Sequence, residues 1–405
     1  MKYMENQETA YEYDFWCAVW LISLAVGRDT IIDRPRAPVF MNWYIILAAN
    51  SGVTRKSTAV NMASGFAKEL LQDDIAANKV GYIEGKSTPE NIQLTLHELT
   101  SDTGHSTLAI AISELVVFLG REGYTAGMPA LLTDLYDSPA HRLGGGTLRH
   151  QREYRDTYVS FLSASTPAWL VGRINPDVVE GGFTSRCMFV VSDRRKRRIP
   201  WPEGVDDDVG TATIRDLLRS IRARGRSIPS ISVNPAALTR FSRWYRRRPE
   251  NTDAFRSSFE SREDAHVLRL AATLSVSDGR WSIEKRDIDV AIKVIHDTKE
   301  RGADLFDATG PDRRTQGVER LVRLLQEAGT VGMKQSEITR KLEWFLDVRD
   351  RQVTLTILHE AGMVQKFEGV RTTKGSGRPA TMWRATRGIV NDALGTVVRH
   401  KRFGS

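Results

Sequence analysis

Between Trp43 and Thr58 an apolar, strand-like run (Trp43 to Leu47) leads through small residues into a Lys-Ser pair and then an amphipathic segment. That layout holds phosphates: backbone N–H groups and the positive end of a helix face the anion, a lysine reaches its outer oxygens, and a serine hydroxyl meets the accompanying Mg²⁺. The residues in place for it are Asn50, Ser51, Gly52, Val53, Thr54, Arg55, Lys56, Ser57 and Thr58, with Lys56 on the β and γ oxygens of ATP and Ser57 on Mg²⁺. The spelling departs from GxxxxGK[ST], because Asn50 and Arg55 occupy the two glycine positions. Gly52 keeps the freedom for a tight turn, and Arg55 is tolerable on the condition that its φ stays negative. An ordinary strand-to-helix turn with a chance Lys-Ser is the competing reading. A second Gly-Lys-Ser-Thr, Gly85 to Thr88, has no clean apolar strand before it, and Pro89 with Glu90 marks it as a capped helix start.

Hydrolysis of a bound nucleotide needs a carboxylate at the end of a neighbouring strand to orient the attacking water and help place Mg²⁺. Leu108 to Ile112 is continuously apolar, as a strand buried on both faces is, and Ser113-Glu114 follows it. Glu114 is the expected base and metal-side group, with Ser113 where an Asp is more usual; a helix-capping Ser-Glu is the alternative. The strand Tyr158 to Leu162 ends in Ser163-Ala164-Ser165-Thr166-Pro167, where Ser165 or Thr166 could sense the γ-phosphate or simply cap the next helix. Arg186, behind Gly181-Gly182 and ahead of the strand Cys187 to Val191, could reach a neighbouring subunit as an arginine finger, or stay a surface arginine. From His141 to Arg152, Gly144 to Gly146 predict the turn of a hairpin flanked by Arg142, Arg149 and Arg152, which could grip DNA phosphates or be merely solvated.

These motifs, in this order and followed by Glu260-Ser261-Arg262 and Leu268-Arg269-Leu270-Ala271-Ala272, resemble the ATPase core of the AAA+ minichromosome maintenance helicases and the helicase-like ATPases of phages, plasmids and mobile elements. The resemblance spans roughly residues 30 to 300. It implies a homo-oligomeric ring, a hexamer, using ATP and Mg²⁺ at sites built from Lys56, Ser57 and Glu114 of one subunit and Arg186 of the next. It further implies Arg262 as the sensor-2 arginine, Trp281-Ser282-Ile283 with Asp287-Ile288 as the end of a lid, and Arg142 and Arg149 on single-stranded DNA in the pore. The departures at Asn50, Arg55, Ser113 and the sensor bear on hydrolysis more than on nucleotide binding. A zinc-binding N-terminal domain of the kind many such helicases carry is not visible in the sequence.

The elements that must position these groups follow from patterning. Short apolar runs alternating with amphipathic segments between Asn42 and Val191 predict an α/β P-loop core with crossover helices. The expected organisation is a helical segment over 1–30, the α/β core over 31–209, a helical lid over 210–305, a winged helix-turn-helix domain over 315–390 and a basic tail over 391–405. In the winged-helix reading Arg349, Arg351, Gln352 and Thr356 lie on the recognition helix and Lys374 with Arg378 on the wing, facing duplex DNA. Winged helices also serve as protein-interaction modules.

Charge supports a polyanion partner: the chain of 405 residues is formally +8, and from Pro311 onward 18 basic residues face 10 acidic ones, leaving 40 of each sign before it. Two distant cysteines, Cys17 and Cys187, argue against a disulfide framework and fit a reducing cytosol. The apolar run Phe15 to Gly27 is shorter than the ~20 residues a membrane span needs, and the acidic segment before it is unlike a signal peptide. The expectation is a cytoplasmic, nucleoid-associated ATP-driven DNA helicase of a mobile element, the alternative an ATP-switched DNA-binding regulator or loader with little hydrolysis.

Overall fold

A computed structural model describes residues 7–35, 37–50, 52, 54–119, 127–147, 150–173, 182–201, 208–248, 254–307, 313–329, 331–342, 348–368 and 381–386. They form two compact units, Met1–Ala303 and Asp304–Ser405. Helix α1 (Tyr11–Val26) comes first, then the short strands β1 (Ile31–Ile32) and β2 (Val39–Phe40). Next are β3 (Tyr44–Ala48), α2 (Lys56–Ala76), β4 (Val80–Ile83), α3 (Pro89–Thr103), β5 (Ser106–Ile112), α4 (Leu115–Phe118) and α5 (Met128–Tyr136). The hairpin β6 (His141–Thr147) and β7 (His150–Arg155) precedes β8 (Thr157–Ser165), α6 (Pro167–Arg173), α7 (Phe183–Arg186) and β9 (Cys187–Val191). Then follow α8 (Asp208–Gly225), β10 (Ser230–Val233), α9 (Pro235–Tyr245), α10 (Ala254–Ser277), β11 (Ser282–Ile283) and α11 (Lys285–Asp307).

The centre of the first unit is a five-stranded parallel sheet in the order β4-β5-β8-β3-β9. Both faces are covered, and every residue of β3 and β8 is buried; β3 is apolar throughout, whereas β8 carries Ser160 and Ser163, whose hydroxyls donate to the Trp43 and Ile112 carbonyls. Helix α2 meets the sheet with Ala59, Ala63 and Ala67 at i, i+4, i+8, small side chains that let helix and strand approach closely. Helix α1 is the buried helix its sequence suggests. Tyr13, Trp16 and Trp20 are enclosed, Trp16 meets Trp43 edge-on at 5.3 Å, and Tyr158 Oη donates to the Ser23 carbonyl at 2.7 Å, so the helix is fixed to the sheet by packing and by hydrogen bonds. It shares one hydrophobic core with the sheet and with α8, α10 and α11. A small sheet, β11-β10-β1-β2, ties the segment after α1 to the helical region. No helix among the described residues is long and apolar enough to cross a membrane.

Two expectations need correction here. Gly144 to Gly146 do not form the hairpin turn; they lie within β6, and the chain reverses between Thr147 and His150, with Arg149 outside the described residues. Gly144 serves the strand instead: a Cβ there would sit 2.6 Å from the Tyr154 hydroxyl of the facing strand, and the register shifts between Gly144 and Gly146. The second correction concerns Arg351. The second unit contains α12 (Arg313–Glu327), β12 (Met333–Lys334), α13 (Gln335–Lys341), α14 (Val348–Glu360), β13 (Val364–Glu368) and β14 (Thr381–Ala385), with the antiparallel order β12-β14-β13. Leu321, Leu325, Ile338, Leu355, Leu358 and Trp383 make its core. On α14, Arg349 and Gln352 are exposed, whereas Arg351 is only 7% exposed and faces inward, away from any groove it was expected to read. Lys374 and Arg378 lie outside the described residues.

Candidate functional site

The parallel register brings several chain tips to one edge. Ala48 is level with Ser165 and with Val191, and Ile112 is level with Ser163, so the residues following β3, β5 and β8 emerge together at the carboxyl end of the sheet. Open α/β sheets bind ligands at that edge. It gathers the loop from Asn50, the Ser113-Glu114 pair and Thr166; of the loop, Ser51 and Val53 lie outside the described residues.

Loop geometry rests on the N-terminal segment. Tyr13 Oη donates to the Ala48 carbonyl at 2.8 Å and receives the Thr54 hydroxyl at 3.3 Å, so α1 props both ends of the loop. Gly52 takes φ +76°, the tight turn expected of it. Arg55 breaks the condition set for it: it adopts φ 53°, ψ 37°, in the left-handed region. A side chain there costs roughly 1–2 kcal/mol, so this loop keeps a conformation suited to glycine with an arginine in it. The guanidinium is directed out of the loop, Nε donating to Glu8 at 2.9 Å. Glu8 also accepts from the Ile199 N–H and from Arg195, and these bonds, led by that of Ile199, hold its carboxyl at about 2.

Helix α2 starts at Lys56 with no side-chain cap, leaving first-turn N–H groups pointing at the loop. Burial draws the Lys56 ammonium below the usual lysine range, and the charge of Glu114 pulls partly the other way, which places that carboxylate close enough to be felt. Ser57 Oγ donates to the Ser113 carbonyl at 3.4 Å, tying α2 to the end of β5, and Thr58 is exposed. Glu114 is exposed and precedes α4 without capping it. An uncapped helix start, a half-buried lysine and a left-handed loop fit a phosphate group. A hydroxyl and a single carboxylate suit a Mg²⁺ that takes its other ligands from phosphate and water, and the described residues contain no group of three His, Cys, Asp or Glu able to hold a metal alone.

The polar tip of β8 does what its competing reading allowed: the Thr166 hydroxyl receives the Trp169 N–H at 3.4 Å and starts α6. Gly85 to Thr88 is also a helix start, Thr88 Oγ accepting from the Asn91 N–H at 3.2 Å.

Arg186 and Arg262 meet on a residue that the sequence did not single out. Asp137, just after α5, accepts from Arg186 Nη2 at 3.2 Å and from Arg262 Nη2 at 3.0 Å, and the two guanidinium groups hold its carboxyl below the ordinary range against the opposing effect of burial. Arg186 also donates to the Gly182 carbonyl at 2.9 Å, while among the described residues its buried Nε has no hydrogen-bond partner. Beside them His266, wholly buried, is pushed down to about 3 first by burial and then by Arg269, and its Nε2 meets the Ser185 carbonyl at 2.9 Å. No periodicity marks Asp137 or His266; their roles come from helices distant in sequence.

In the hairpin, Arg142 pairs with Asp134 and Arg152 donates to the Glu90 carbonyl at 2.7 Å, so both are engaged within the chain.

The fold and this edge define a parallel α/β protein with a strand–loop–helix turn at the carboxyl end of its sheet. No protein-family model and no curated protein matches the chain. Among solved structures, a full-length MCM homolog from Methanopyrus kandleri aligns at 15% identity over 70% of this chain and 54% of that one, TM-score 0.37, so the chain spans about half its length. The Aeropyrum pernix ORC2 protein, in ADPNP–ADP complexes, aligns at 11% identity over 90% of this chain and 89% of that one, TM-score 0.24. At those scores neither likeness carries an argument about this chain.

Proposed function

We propose that this protein is an AAA+-type ATPase that works on DNA, a ring-forming helicase of a mobile element whose assembly is a hexamer. The observation that carries the reading is the strand order: the strand of Thr166 lies between the strand that feeds the Lys56 loop and the strand that delivers Glu114, so lysine, acid and polar tip share one edge. In this reading the α2 N-terminus and Lys56 bind the β and γ phosphates of ATP, and Glu114 accepts a proton from the attacking water. Mg²⁺, held through the phosphates and Ser57, supplies charge neutralisation when bound. Arg262 and, from a neighbouring subunit, Arg186 offset charge on the transferred group. The three helices and three-stranded sheet of the second unit form a winged helix-turn-helix that meets duplex DNA through Arg349, Gln352 and the segment of Lys374 and Arg378.

A second reading, the ATP-switched DNA-binding regulator with little turnover, is favoured by the arginines. Arg186 and Arg262 are both engaged by Asp137 of the same chain, and Arg55 is turned to Glu8 rather than to the phosphate loop.

Phosphate release from ATP, measured with and without single-stranded DNA and alongside strand displacement, tests both. The motor requires DNA-stimulated hydrolysis that Lys56→Ala abolishes together with unwinding. ATP binding that Lys56→Ala removes, with neither hydrolysis nor unwinding in the wild type, selects the regulator. An ATPase indifferent to Lys56→Ala overturns both.

A further inference from the structure

Residues 1 to 310 are neutral in sum, yet the end of α9 is strongly basic. The end of α9 and the residues after it read Arg243-Trp244-Tyr245-Arg246-Arg247-Arg248. Arg243, Arg246 and Arg247 are exposed, and at i, i+3 and i+4 they project from one side of the helix end. Among the described residues none of the three has a carboxylate within ion-pair reach, whereas Arg240 is paired with Asp289 at 2.5 Å and Arg248 lies against Glu263 at 3.9 Å. A helix C-terminus favours cations through its macrodipole, but that end carries only about half a negative charge, too little to account for three free guanidinium groups.

Aromatic groups are interleaved with the charge. Tyr245 is 44% exposed, and the Arg248 guanidinium lies 4.2 Å from its ring centroid and 5.3 Å from that of Trp244. The tyrosine is thereby held in place while much of it faces solvent. A depression of about 580 Å³ is lined by Leu238, Thr239, Ser242, Arg243, Arg246 and Arg247. A second, of about 770 Å³, lies toward Trp244 and His296, and it shares Arg243 and Arg247 with the first. The two adjoin at these arginines; Tyr245 lines neither, and borders the second through Arg248.

We propose that this surface binds single-stranded nucleic acid, Arg243, Arg246 and Arg247 contacting successive phosphates along the depressions and Tyr245, at their border, stacking on a base. Unpaired cations match the backbone charge. An exposed, braced aromatic ring selects a strand whose base faces are open, which a duplex does not offer. On the β6–β7 hairpin, by contrast, Arg142 and Arg152 are already engaged.

The test uses the full chain without nucleotide, so its outcome is independent of the ATPase reading. Binding of a fluorescent dT20 oligonucleotide is followed by anisotropy across a salt series. Three lost phosphate contacts at about 0.7 each lower the slope of log affinity against log salt by about 2 in Arg243→Ala/Arg246→Ala/Arg247→Ala, with at least a tenfold loss of affinity at low salt. The Lys triple variant keeps the slope, and Tyr245→Ala weakens binding roughly tenfold with the slope unchanged. Photocrosslinking from 5-iododeoxyuridine is expected on the peptide containing Tyr245. An unaltered slope in the Ala triple variant, or crosslinks only elsewhere, overturns the proposal. So does binding of inorganic polyphosphate equal to that of dT20 with Tyr245→Ala silent, which marks a general polyanion surface.

Discussion

Arg55→Ala and Arg55→Gly both remove the guanidinium from Glu8 and differ only in a Cβ, so comparing them isolates the backbone strain in the phosphate loop. At φ 53°, ψ 37°, alanine carries the left-handed penalty of roughly 1–2 kcal/mol and glycine does not. Glycine gives back about 0.5–1 kcal/mol through the greater freedom of its unfolded chain. The Gly variant should therefore be the more stable by about 0.5–1 kcal/mol, a difference of roughly 1–3 °C in thermal midpoint for a unit of this size. Thermal unfolding followed by circular dichroism measures it, and paired nucleotide titrations report whether a relaxed loop binds phosphate better. An Ala variant as stable as the Gly variant, or more so, would refute the left-handed assignment and with it the claim that the loop keeps a glycine geometry without the glycine.

Replacing Asp137 with Ala leaves Arg186 and Arg262 without their shared carboxylate; because Asp137 is half exposed, the expected loss by urea unfolding is modest, about 1–2 kcal/mol, and a neutral result would remove it as an organiser of the site. His266 stays neutral in the folded protein because its value is about 3, while the unfolded chain takes up a proton below pH ~6.5. Stability should thus be fully present above that pH and fall as the pH drops towards 3, by about 2 kcal/mol from this residue at pH 5; His266→Gln should flatten the slope between pH 7 and 5, and an unchanged slope would count against its burial as a neutral ring. Gly144→Ala forces a Cβ to within 2.6 Å of the buried Tyr154 hydroxyl and should destabilise the protein by about 1–3 kcal/mol, with Tyr154→Phe in the same chain recovering part of it; full stability in the single variant would show that the glycine is not there for Tyr154.

What the residues settled alone is what local physics settles. Trp43 to Leu47, Leu108 to Ile112 and Cys187 to Val191 are legible as strands because burial leaves an unbroken apolar run, and Tyr158 to Leu162 because Ser160 alone interrupts one. Thr88 and Pro89 announce a helix start because capping is decided within four residues, and the Lys56-Ser57 pair stands out by its place after a strand. The short β4, β1, β2, β10 and β11 left no such trace, since strands of two to four residues are fixed by partners rather than by pattern. The order of the five strands, which gathers Lys56, Glu114 and Thr166 at one edge, depends on crossovers that no single segment encodes. The same is true of Arg55, whose left-handed backbone is maintained in a loop braced by Tyr13 and Glu8 from the preceding N-terminal segment, and of Gly144, whose meaning lies in a tyrosine across the hairpin. Asp137 became a meeting point for two arginines only because α5, α7 and α10 converge on it. Residue types and spacing named the chemistry available to this chain; the packing of distant segments decided which of those groups stand together and which are already held by their own neighbours.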